Sequence, residues 1–152
     1  MKKLFAILMT VAILATLSVP VFAANTTGGE ADITTSIAPT YTVTIPADVN
    51  VAFNAIETDF GAIEVTASQI HPDKCIKVEL TSDGKLENSI DATKVIPYAI
   101  KDGEGAAFTS ATYLTEGDKT ELSIHITTND WNAAYAGDYS DTVTFTITYE
   151  DK

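Results

Sequence analysis

Val143-Thr144-Phe145-Thr146-Ile147-Thr148-Tyr149 is the stretch that decides the fold. Apolar residues alternate with threonines through all seven positions, a period of two that sends one row of side chains to each face of a strand. Valine, isoleucine, threonine and the aromatics also favour the extended backbone, because branched and flat side chains suit a pleated surface. Working outward, Tyr41-Thr42-Val43-Thr44-Ile45 repeats the alternation, and Pro46 ends it because proline cannot donate to a ladder.

Weaker strand candidates lie at 49–53, 62–67, 76–81, 95–100 and 122–127, with a short one at Ile33, Thr35 and Ile37. Turn-forming clusters separate them, among them Ser82-Asp83-Gly84-Lys85, Asp102-Gly103-Glu104-Gly105, Glu116-Gly117-Asp118 and Ala136-Gly137-Asp138. Short strands at this spacing predict an all-β domain, an antiparallel immunoglobulin-like β-sandwich of about seven or eight strands with Greek-key connections. No long amphipathic helix is predicted, and residues 53–60 and 86–94 are read as one helical turn or irregular loop.

Residues 1–23, MKKLFAILMTVAILATLSVPVFA, have the layout of a signal peptide. Lys2 and Lys3 precede an apolar run, and Val21-Phe22-Ala23 supplies small residues for cleavage. Cleavage would leave a secreted or cell-surface-associated chain of 129 residues with no integral membrane span. Residues 24–30 read as a flexible lead and 31–152 as the sandwich, with 31–37 either an exchanged strand or the domain's own first strand.

The 152 residues hold nine lysines, no arginine and 21 acidic residues, a net charge of −12 that becomes −14 without the leader's two lysines. Such a surface repels phosphate and lacks the guanidinium fork that nucleic-acid recognition favours, so nucleic acid is excluded as a partner. A single cysteine, Cys75, excludes an intramolecular disulfide framework.

Ala38-Pro39-Thr40-Tyr41-Thr42-Val43-Thr44-Ile45-Pro46-Ala47 and the closing Ala136-Gly137-Asp138-Tyr139-Ser140-Asp141-Thr142-Val143-Thr144-Phe145 resemble the two ends of small secreted immunoglobulin-like domains of bacterial envelopes. The closing segment is similar to that of spore coat protein U and fimbrial subunit-like domains, and to that of WxL cell-wall-binding domains. Trp131 is followed by Asn132 and Ala133, so the Trp-x-Leu pair is absent, and so are paired cysteines. The resemblance implies a structural or adhesive envelope role rather than catalysis.

Candidate chemistry is sparse. His71 and Cys75 would need to converge with an orienting group to act as a nucleophilic pair. Their placement in a turn and at a strand start gives no such geometry, and Cys75 is read as a small core or strand-end residue. His125, alternating with isoleucines, is predicted as a solvated strand histidine on an outer face. Calcium is the one metal considered, with Asn129, Asp130, Asp138 and Asp141 as one oxygen-bearing group and Asp102, Glu104 and Asp118 as another. Neither has EF-hand spacing, and solvated acidic loops are the expected state. No cofactor is assigned and the chain is read as a non-enzyme.

Two binding features remain. Trp131 and Tyr135 are candidate ligand-binding residues, since aromatics beside Asn and Asp can stack on sugars, giving a carbohydrate- or cell-wall-binding module with cell-wall or host glycans as partners. The competing reading has Trp131 capping the core and Tyr139 anchoring a corner. Ile33, Thr35 and Ile37 form a candidate assembly strand that would add to a sheet edge of a second copy or of another envelope protein.

Overall fold

The computed structural model describes residues 30–152, so the signal-peptide reading and most of the flexible lead lie outside the described residues. The fold is all-β with antiparallel pairing throughout and one short helix.

The first sheet is built on a long strand. Strand β1 (Thr40–Thr44) pairs with β2 (Glu57–Gln69), which pairs with β8 (Lys119–His125), which pairs with β6 (Ala99–Asp102). Strand β2 carries a bulge between Asp59 and Gly61, where Gly61 takes a positive φ of 96° and donates its N–H to the Asp59 carboxylate at 2.8 Å. The second sheet has the order β10-β3-β7, with β10 (Thr144–Asp151), β3 (Lys74–Thr81) and β7 (Ser110–Tyr113). Thr144 to Asp151 run in unbroken register against Thr81 to Lys74. A small third sheet sets β4 (Lys85–Asn88) between β5 (Val95–Pro97) and the two-residue β9 (Tyr139–Ser140).

Side chains from all three sheets meet in one core. Val43, Ile63, Val65, Leu122 and Ile124 enter from the first sheet, Ile76, Val78 and Tyr113 from the second, and Ile96 from the third. Their spacing by two along each strand is the alternation seen in the sequence. Helix α1 (Thr128–Ala133) closes one end of this core. Thr127 caps it, its hydroxyl accepting the Asp130 N–H at 3.2 Å, and Trp131 is its one buried residue.

The described residues contain ten strands where the sequence suggested seven or eight. Strands of two to four residues, β4, β5, β6, β7 and β9, are too short to show a period. The run at 95–100 divides at Pro97 and Tyr98 into β5 and β6, which belong to different sheets. Two expectations are corrected. Residues 49–53 form no strand but an irregular approach to a turn at Phe53 and Asn54, where Asn54 has a φ of 64°. Of the stretches read as one helical turn or irregular loop, 53–56 and 89–94 are irregular, while 57–60 belong to β2 and 86–88 to β4; the only helix among the described residues is α1.

Candidate functional site

The N-terminal arm is the first feature to locate. Residues 31–39 form no strand and pair with no strand among the described residues. Ile33 is 98% and Ile37 62% exposed, and Thr35 between them is exposed too. Two large apolar side chains thus stand in water at the start of the domain, a cost of order 1.5–3 kcal/mol each relative to burial.

The aromatic pair does not form a stacking platform. Trp131 is buried at 9% exposure, its indole N–H donates to the Ala55 carbonyl at 2.8 Å, and Phe53 meets it edge-on with centroids 5.6 Å apart. This is the core-capping arrangement, so Trp131 offers no exposed face for a sugar. Tyr135 is 63% exposed, but the Lys94 ammonium sits 5.0 Å from its ring centre. Tyr139 anchors the corner: its hydroxyl accepts the Tyr135 N–H at 3.2 Å and donates to the Tyr135 carbonyl at 3.0 Å.

Of the acidic candidates, Asp118, Asp102 and Asp130 are each occupied locally. Asp118 accepts the N–H groups of Leu114 and Thr115 at 2.7 and 2.9 Å, and these bonds hold its carboxyl below the usual carboxylate range. Asp102 accepts from the N–H groups of Glu104 and Ala106, and Asp130 serves the cap of α1. No group of three or more His, Cys, Asp or Glu that could hold a metal comes together among the described residues. Asn129 lies in α1 and is exposed.

Cys75 is buried in β3, its thiol 3.8 Å from the Asp151 carbonyl, while His71 is exposed in the preceding turn with its backbone N–H on the Tyr149 hydroxyl at 3.0 Å. No hydrogen bond joins the two, so they form no nucleophilic pair. His125 is half-buried at the end of β8, opposite Glu57 on one side and Ala99 on the other.

One feature escaped the sequence reading. A cavity of about 750 Å³ opens between the segment that follows β1 and the segment that leads into β10. Phe60, Ile96, Ile100, Ile124 and Phe145 line it from within, and Phe60 and Phe145 approach one another across the two main sheets with centroids 6.2 Å apart. Asp48, Asp138 and Asp141 also line it. Tyr98 fixes one wall: its hydroxyl donates to the Asp141 carboxylate at 2.5 Å and lies 2.8 Å from the Ser82 hydroxyl. Burial, and then the Asp141 carboxylate, push that phenol far above its ordinary range, so it stays a donor. The one sequence cue was Pro97, which breaks the alternation just before Tyr98 and marks the change of sheet.

Comparison with known protein families gives no match, and comparison with curated proteins gives none either.

Proposed function

We propose that this chain is a secreted, non-enzymatic structural or adhesive component of a bacterial cell envelope, built as an immunoglobulin-like β-sandwich with Greek-key connections and self-associating through its N-terminal arm. The observation that carries the reading is the arm itself. It leaves Ile33 and Ile37 exposed at the spacing of one side of an extended peptide, with backbone groups of residues 31–39 that no strand among the described residues takes up. Sheet edges are available to it among the described residues, because β1 ends one main sheet and β10 and β7 the other, whereas the outer edge of β6 is taken up by residues 106–108. An arm that adds to the edge of a second copy satisfies both sets of backbone groups and buries the isoleucines, and a head-to-tail contact of that kind need not close.

The glycan-binding reading loses support with Trp131 in the core.

Light scattering of the purified chain over a range of concentrations tests the assembly. Concentration-dependent oligomers are expected from the full chain, with a monomer of unchanged circular dichroism after deletion of residues 24–39. A full chain that stays monomeric at high concentration excludes self-association, and oligomers that survive the deletion exclude the arm.

A further inference from the structure

We propose that the cavity between the two main sheets is a binding site for an amphipathic organic cation, a small molecule with an apolar body and an alkylammonium end. Its volume of about 750 Å³ suits a small molecule, since such sites run from roughly 300 to 1,000 Å³. The charge around it has one sign. Asp48, Asp138 and Asp141 line the cavity, and no lysine or histidine does. The carboxylates of Asp48 and Asp138 are exposed and take no hydrogen bond or ion pair from the described residues. Three acidic groups over an apolar interior select a ligand that is positive at one end and apolar at the other.

Aromatic rings add to the same preference. Phe53, Phe60, Tyr98, Trp131, Tyr139 and Phe145 all line the cavity. An ammonium group near an aromatic face is held by the ring quadrupole, and more strongly where water is displaced. The surplus of acidic residues over the whole chain, a net −12, draws cations toward the opening and repels anions.

Other occupants fit less well. A fatty acid or phosphate would bring its negative charge against the three aspartates. A sugar would set its hydroxyls against Ile96, Ile100 and Ile124, which offer them nothing. The chain's own arm carries Glu30 and Asp32 beside Ile33, so insertion here would add carboxylates to an acidic opening. This inference is therefore independent of arm-mediated assembly, which uses a sheet edge.

The protein contains its own reporter, because its single tryptophan, Trp131, lines the cavity. The purified full chain is titrated with octyltrimethylammonium while Trp131 fluorescence is followed, with octanoate and 1-octanol as anionic and neutral probes of equal chain length and far-UV circular dichroism as the check on folding. A saturable change is expected with the cation, at least tenfold tighter than with octanoate, and weakening as sodium chloride is added. The double variant Asp48→Asn, Asp138→Asn should weaken binding of the cation severalfold and leave 1-octanol unchanged, and deletion of residues 24–39 should leave both unchanged. The proposal is overturned if the cation gives no saturable change, if it binds no more tightly than octanoate, or if salt leaves its affinity unmoved. The salt series decides the charge dependence even where the double variant does not fold.

Discussion

The ring of Tyr41 lies against the ring of Tyr149, their centroids 5.7 Å apart and their planes inclined by 30°. Tyr41 belongs to β1 and Tyr149 to β10, so this contact joins the outer strand of one main sheet to the outer strand of the other. It lies at the beginning of β1 and towards the end of β10, whereas the cavity opens beyond the end of β1 and before the start of β10. The same two edges are thus bridged at one end and parted at the other.

That contact predicts a measurable coupling. Tyr41→Leu and Tyr149→Leu should each lower stability, and a double-mutant cycle in urea should return a coupling of about 1 kcal/mol, the usual worth of an aromatic pair beyond its buried area. Tyr149→Phe keeps the stack and loses only the hydroxyl that accepts the His71 N–H at 3.0 Å, an exposed bond. It should cost about 0.5 kcal/mol. Additive single variants would show that the rings are neighbours without being partners.

Gly137 predicts a steric penalty distinct from a conformational one. Its φ is 148°, and a Cβ there would stand 2.5 Å from Nδ2 of Asn88. Asn88 cannot yield cheaply, since it is buried at 6% exposure and its Oδ1 accepts the N–H groups of Ile90 and Asp91 at 2.9 and 3.3 Å. Gly137→Ala should therefore cost about 3 kcal/mol, combining overpacking with backbone strain. Gly105 has a φ of 84° with nothing within 4 Å of the added carbon, so Gly105→Ala should cost about 1 kcal/mol. Equal losses in thermal or urea unfolding would contradict the packing argument.

Asp118 predicts part of the acid sensitivity. Its carboxylate ties the loop between β7 and β8, and the Leu114 and Thr115 N–H groups, with a smaller contribution from the Thr115 hydroxyl, lower its pKa in the folded chain. The unfolded chain, with the ordinary pKa of about 3.9, binds this proton first as the solution is acidified. The contribution of Asp118 is therefore complete above that unfolded value and disappears as the pH falls through the lower folded one. Asp118→Asn should flatten the stability profile below about pH 4, as read from urea midpoints across the acid range. An unchanged acid slope would assign the effect to other carboxylates, of which Asp91, held low by the Thr93 hydroxyl and N–H, is the next.

Much of this was legible where the chain alternates over several residues. Thr144 to Tyr149 could only be a strand with one apolar face, and so it is. Val51 and Phe53 were misleading because apolarity reports burial need, not backbone state: both line the cavity from an irregular segment, and Phe53 also meets Trp131. For Trp131, Thr127 and Asp130 carried a capping pattern three residues apart, but a helix of six residues leaves no periodicity to reveal its direction. The contacts of Tyr98 with Asp141 and Ser82 span 43 and 16 residues, and no local pattern encodes such a meeting. Ile33 and Ile37 share one face of an extended segment in the sequence, and both are exposed.

Cys75 carries a further consequence. It lies in β3, the middle strand of its sheet, at 3% exposure, opposite Glu150 of β10. Because the chain has a single thiol, any alkylating reagent that labels the native protein must wait for the C-terminal strand to lift or for the whole domain to open. The rate at which the thiol is consumed is thus a clock for opening at this strand pair, local or global, built into the unaltered sequence and readable without a single substitution.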